Sequence, residues 1–148
     1  MTQPNITLRE ITEDTVNDIL ALEVAAHQKG FVATNAKSIA QAHFCENAWF
    51  RAIYADDTPV GFVMLYIDTE KPEYFLWRFM IDEKYQKKDY GLRAMELVIQ
   101  FVRTFPNATR LELSYAPGEG DPSGFYARLG FLETGEWLNK QKVMRLTL

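Results

Sequence analysis

Trp77-Arg78-Phe79-Met80-Ile81-Asp82-Glu83-Lys84-Tyr85-Gln86-Lys87-Lys88-Asp89-Tyr90-Gly91-Leu92-Arg93-Ala94-Met95 decides how this chain folds. The stretch opens as an apolar strand, crosses a short polar loop and enters helical periodicity at once. Met95, Val98, Ile99 and Val102 recur at helical offsets, so Gly91 to Phe105 reads as a helix stopped by Pro106-Asn107. A helix that starts directly after such a loop aims unpaired amides, and the positive end of its dipole, at whatever lies over the loop. That makes an anion site, and Lys87 and Lys88 add positive charge where a diphosphate would lie. A solvated basic turn would read the same way from this loop alone.

Working outward, Tyr74 to Ile81 is the strand that feeds the loop. Before it, Trp49 to Ala55 and Val60 to Asp68 read as two strands joined by a turn at Asp56-Asp57-Thr58-Pro59. Further back, Ile6 to Ile11 alternates as a first strand. Thr12 is the expected cap of a helix carrying Val16, Ile19, Leu20, Glu23 and Val24. A second helix opens at Asn35 and carries Ile39, Ala42 and Phe44. Past the long helix come a strand at Arg110 to Tyr115 and a short helix at Pro122 to Leu129, with Gly130 as its C′ glycine. Phe131 to Leu138 and Lys142 to Leu148 close the chain as a hairpin. The order β-α-α-β-β-β-α-β-α-β-β predicts an α/β (α+β) fold, a mixed sheet with helices on its faces.

A length of 148 residues suits one domain over 1–148, with an ordinary hydrophobic core. The formal net charge of -4 argues against general nucleic-acid binding, which needs a dense basic face, and suits a cationic small molecule better. Cys45 stands alone, so neither an internal disulfide nor a cysteine-based metal site is expected. The N-terminus has no apolar core of signal-peptide length, and no window approaches the ~20 apolar residues of a membrane span. The expected location is the cytoplasm, with no membrane partner.

A second stretch carries chemistry: Ser114-Tyr115-Ala116-Pro117-Gly118-Glu119-Gly120-Asp121-Pro122-Ser123-Gly124-Phe125-Tyr126-Ala127-Arg128-Leu129-Gly130-Phe131. A strand ends, a Gly/Pro loop follows, and a short helix presents Tyr126. A tyrosine in a cleft can give its proton to a developing thiolate, though a core aromatic with its hydroxyl at the surface has the same signature.

Together the two stretches resemble the GCN5-related N-acetyltransferase superfamily. Its Gln/Arg-x-x-Gly-x-Gly/Ala loop falls on Gln86-Lys87-Lys88-Asp89-Tyr90-Gly91, and its Tyr-x-x-Leu-Gly-Phe ending on Tyr126-Ala127-Arg128-Leu129-Gly130-Phe131. At a finer level Leu22-Glu23-Val24-Ala25, Gly30-Phe31-Val32-Ala33-Thr34-Asn35 and Trp77-Arg78-Phe79-Met80-Ile81-Asp82 are similar to bacterial spermine/spermidine acetyltransferases. The resemblance implies a mostly antiparallel sheet of about seven strands flanked by about four helices. It also implies transfer of an acetyl group from acetyl-coenzyme A to a primary amine, a polyamine above all. Direct attack in a ternary complex is the implied mechanism, with coenzyme A as co-substrate, no metal and, as in many relatives, a homodimer.

Roles follow position by position from the resemblance. Phe79, Met80 and Ile81 would hold the pantetheine arm through backbone groups. Gln86, Lys87, Lys88, Asp89, Tyr90, Gly91 and Leu92 would hold the diphosphate, and Ser123 and Tyr126 would also meet the cofactor. Tyr126 would protonate the leaving thiolate. Glu23 is the expected base or ammonium partner, with a solvated helix glutamate as the plain alternative. Phe31, Trp49 and Trp77 would cover the methylene chain of the acceptor. By strand alternation, however, Trp77 shares a face with Phe75, Phe79 and Ile81, which is equally a core pattern. Asp89 departs from the family glycine, adding a negative charge and removing glycine's conformational freedom. His27, His43 and Cys45 receive no role. Two other readings stay open: a different acceptor (an amino sugar, an amino acid or a protein N-terminus), and an acyl-coenzyme A binding module without catalysis.

Overall fold

The computed structural model describes residues 3–148. Among the described residues are seven strands and four α-helices in one mixed sheet. The strands are β1 Ile6–Arg9, β2 Ala48–Ala55, β3 Thr58–Asp68, β4 Glu73–Ile81, β5 Arg110–Tyr115, β6 Leu132–Leu138 and β7 Gln141–Thr147. The helices are α1 Val16–Leu20, α2 Asn35–His43, α3 Tyr90–Val102 and α4 Ser123–Arg128. The strand order is β1-β2-β3-β4-β5-β7-β6, antiparallel throughout except where β4 meets β5. The expected fold class stands.

Alternation along β3 explains the layering. Val63 and Leu65 join a core with Met95, Val98 and Val102 of α3, whereas Phe62 and Met64 join a second core with Ile19 of α1 and Ile39 of α2. Successive side chains of one strand therefore supply opposite faces of the sheet. Full burial of Met95, Val98 or Val102 contributes roughly 1.5–3 kcal/mol each. The β2–β3 hairpin turns on two residues, with Asp56 at φ 51, a conformation aspartate tolerates better than most side chains.

Several boundaries differ from expectation. Thr15, not Thr12, stands at the N-cap position of α1, and its hydroxyl caps no helical amide: it accepts from Thr12 N at 2.9 Å instead. That helix ends at Leu20, so Glu23 and Val24 lie in the following segment. The Glu23 backbone is instead engaged on both sides, its amide by Asp82 Oδ1 at 2.9 Å and its carbonyl by the Glu83 amide at 2.8 Å. Phe44 falls just past α2 and is exposed. The long helix stops at Val102, and the chain tightens into i→i−3 turns through Thr104 and Phe105 before Pro106.

Two irregularities shape the middle of the sheet. Met64 pairs with Arg78 but Leu65 with Leu76, which leaves Trp77 as an extra, bulged residue. The parallel β4–β5 contact spans only Phe75 with Glu112 and Leu76 with Leu113. Beyond that pair the two strands part.

Candidate active site

The wedge between β4 and β5 opens into a cleft of about 990 Å³. The Asp82 amide bonds Val60 on β3 at 2.8 Å, so by alternation the amides and carbonyls of Phe79 and Ile81 face the opposite, open edge. The far wall is the end of β5 with α4, and the segment Gln28 to Ala33 closes a third side.

At its head the cleft meets the loop into α3. Lys87 at φ 63 and Asp89 at φ 64 are both left-handed, and such turns curl backbone amides toward one point. Asp89 therefore holds the conformation for which glycine is the usual residue, and brings a negative charge to it. The first bond of α3 runs from Arg93 N to Asp89 O, 3.1 Å, which leaves the amides of Tyr90, Gly91 and Leu92 ahead of the helical ladder. A diphosphate fits this chemistry. Gln86 braces the loop: its side-chain amide donates to Ile81 O and to Gln28 Oε1, each at 2.8 Å.

Gly91 is there for space. A Cβ on it would stand 3.2 Å from the ring of Phe125, which itself stacks on Phe79 with centroids 5.7 Å apart. The next residue, Tyr126, is buried between Phe125 and Phe131. Phe131 N bonds Tyr126 O at 3.2 Å and Gly130 N bonds Ala127 O at 3.0 Å, with Gly130 at φ 102, so a glycine closure fixes the end of α4 as expected. The Tyr126 hydroxyl has no hydrogen-bond partner among the described residues, and burial pushes its pKa above the ordinary tyrosine value. It stays a proton donor at neutral pH.

The remaining expected residues divide. Phe31, Trp77, Met80, Lys87, Tyr90 and Leu92 line the cleft. Trp77, however, packs with Met80 on the α1/α2 side while Phe79 and Ile81 pack on the α3 side, because the bulge shifts alternation by one residue. Trp49 is not at the cleft: its ring stacks on Phe101 of α3 at 4.5 Å, under the Arg51 guanidinium. Glu23 also lies outside the lining, its side chain 72% exposed and 3.8 Å from Lys29. Ser123 is tied to Asp121 through its hydroxyl (2.6 Å) and amide (3.0 Å) rather than facing the cleft. Lys88 is exposed beside the cleft, outside its lining.

Four residues at the site escaped the sequence reading. Arg78 lines the cleft half-buried, donating to Trp77 O and Gln41 Oε1; burial lowers its pKa, and its Nε has no partner. An arginine inside a strongly apolar strand was the available signal. Buried Asp82 holds the Glu23 and Lys84 amides, and Gln28 receives Gln86. Tyr115, at the end of β5, donates its hydroxyl to Glu133. Gln28 and Tyr115 depend on partners distant in sequence and left no local mark. So does the bond of Asp82 to Glu23, although Asp82 also caps the turn at Lys84. Among the described residues, no three His, Cys, Asp or Glu side chains gather as a metal site would need, and no helix is long and apolar enough to cross a membrane.

Comparison with known proteins adds an independent line. Residues 16–131 match the family described as Acetyltransferase (GNAT). The chain is 28% identical to the spermine/spermidine N(1)-acetyltransferase of Bacillus subtilis strain 168, covering 95% of this chain and 97% of that protein. It resembles in fold a domain from Methanocaldococcus jannaschii (TM-score 0.78, 15% identity, 98% and 99% covered). PaiA N-acetyltransferase from Thermoplasma acidophilum, solved in complex with coenzyme A, is similar at TM-score 0.70 and 14% identity, with 97% and 99% covered.

Proposed function

We propose, since this chain belongs to the acetyltransferase (GNAT) family and is an acetyl-coenzyme A-dependent N-acetyltransferase, that it acetylates a primary amine of a small polyamine such as spermidine or spermine. One observation carries the site: the free edge of β4 runs directly into a left-handed loop that heads α3. That continuity supports a pantetheine arm laid along Phe79 and Ile81 with its diphosphate against residues 86–92. The polyamine itself is supported by the names of relatives at 27–28% identity.

In this reading the chain's residues do three things. Backbone amides of β4 and of the α3 head fix the thioester and polarise its carbonyl. Phe31 and Trp77 give the acceptor an apolar wall. Tyr126, kept protonated by burial, donates to sulfur as the carbon–sulfur bond breaks. Asp89 works against the diphosphate by charge alone. Glu23 could act on the acceptor only if its exposed side chain swung in from Lys29. The same proposal puts the enzyme in the cytoplasm and allows a homodimer.

The test is thiol release from acetyl-coenzyme A with spermidine, spermine and putrescine, beside amino sugars, amino acids and a peptide N-terminus. Turnover with polyamines at the highest kcat/KM supports the proposal. Preference for another acceptor overturns the polyamine, and coenzyme binding without turnover on any acceptor overturns catalysis.

A further inference from the structure

Acetylation of an ammonium leaves one proton over. Two protons leave the nitrogen and one joins the coenzyme sulfur, so one must reach solvent. The carboxylates that line the cleft are poorly suited to take it. Asp89 belongs to the diphosphate loop, and Asp121 is occupied by the Gly118 amide at 2.9 Å and by the amide and hydroxyl of Ser123. Among the described residues, the lining holds no glutamate and no histidine.

Tyr115 lines the cleft at the end of β5 and is 7% exposed. Its hydroxyl donates to the carboxylate of Glu133 on β6, a residue open to solvent. Strand β7 lies between them: Tyr115 pairs with Lys142 and Glu133 with Met144, so the two side chains meet diagonally across β7. Tyr115 thus borders the cleft while its hydroxyl meets a carboxylate at the surface.

We infer that Tyr115 and Glu133 form a proton relay that carries the acceptor's surplus proton from the cleft to water. The inference rests on the transfer reading above. The ammonium gives a proton to Tyr115 Oη, directly or across one water, as the phenolic proton passes to Glu133 Oε1 and on to solvent. The nitrogen keeps its electron pair, which forms the bond to the acyl carbon. The carbon–sulfur pair leaves on sulfur, which takes the Tyr126 proton, and the second nitrogen proton restores Tyr126. One proton is released and nothing is oxidised or reduced.

The groups around the pair suit this role. Glu133 comes from β6, Lys142 from β7, and Asp121 and Ser123 from the head of α4. Burial first, then the bond to Glu133, push the Tyr115 pKa up to about 12. The phenol stays protonated and hands protons on, rather than storing negative charge.

The test uses acetyl-coenzyme A with the best acceptor from the amine panel, comparing Glu133→Gln, Tyr115→Phe, the double variant and Tyr126→Phe. Glutamine keeps an acceptor oxygen for the phenol, so the fold is preserved, and thermal unfolding checks this. Each relay variant should lower kcat/KM for the amine at least ten-fold at pH 7 and leave acetyl-coenzyme A binding within two-fold. The loss should shrink toward pH 10, where the amine arrives increasingly neutral, and the double variant should be no worse than either single one. The Tyr126→Phe loss should not shrink in this way. Relay variants within two-fold of the parent at pH 7, or a loss independent of pH, overturn the relay and leave the transfer reading intact. A parent chain that binds coenzyme A yet acetylates nothing overturns both.

Discussion

Gly91 lies beneath the ring of Phe125 so closely that a single added methyl would stand 3.2–3.3 Å from two ring carbons. Phe125 cannot simply retreat, since Phe79 stacks on one side and Tyr126 meets its edge on the other. In Gly91→Ala, helix propensity favours alanine by up to about 1 kcal/mol, and crowding opposes it by about 1–3 kcal/mol. The expected outcome is a small net loss in denaturant unfolding, and coenzyme A affinity at least three-fold weaker by calorimetry as Phe125 moves into the cleft. Unchanged affinity would mean that Phe125 yields elsewhere.

Asp89 separates backbone from charge. Asp89→Gly keeps the left-handed turn and removes the carboxylate, and should tighten coenzyme A binding several-fold, more at low salt than at high. Asp89→Ala removes the same charge but strains a residue held at φ 64 by about 1–2 kcal/mol. Alanine should therefore bind worse than glycine. Equal titration curves for the two would contradict the conformational reading.

Tyr126→Phe deletes a hydroxyl that bonds no described residue, so the melting temperature should hold. Turnover should fall ten-fold or more, a loss of about 1.4 kcal/mol of transition-state stabilisation, with coenzyme affinity unchanged. Full activity in this variant would move the proton donor elsewhere.

Trp49→Ala answers a different question. Its ring stacks on Phe101 away from the cleft, so the expected cost is stability, about 2–3 kcal/mol in chemical unfolding. The KM for the amine should stay within two-fold once folded protein is compared. A selective rise in KM would restore Trp49 to the acceptor site.

Alkali should weaken the fold. Tyr115 and Tyr126 both hold their protons more tightly folded than unfolded, where a tyrosine titrates near 10. Their stabilisation is complete below about pH 10 and is lost as pH rises through the folded values, that of Tyr115 near 12. Urea midpoints should fall above pH 10, and less steeply in Tyr115→Phe.

Much of this architecture was readable from periodicity. The β5 bounds, the α4–Gly130 closure and the strand–loop–helix run through Gln86 followed from local pattern, because each depends on neighbours in the chain. What escaped depends on partners far away. Nothing near Trp77 announces the bulge, which arises only in register with Met64 and Leu65. Nothing near Tyr115 names Glu133, and Glu23 looked helical until Asp82 and Glu83, some sixty residues later, took its backbone. Trp49 misled for a related reason: aromatic side chains that cover a ligand and those that cover Phe101 look alike in one dimension.

Strands β5, β7 and β6 hang from the other four by a seam two residue pairs long. So short a zipper is the natural place for the sheet to breathe, and it lies at the closed apex of the wedge. A long thin ligand laid along the open edge would stitch the two halves together. Slower amide exchange from Glu112 to Tyr115 on loading would register that stitching even before any chemistry.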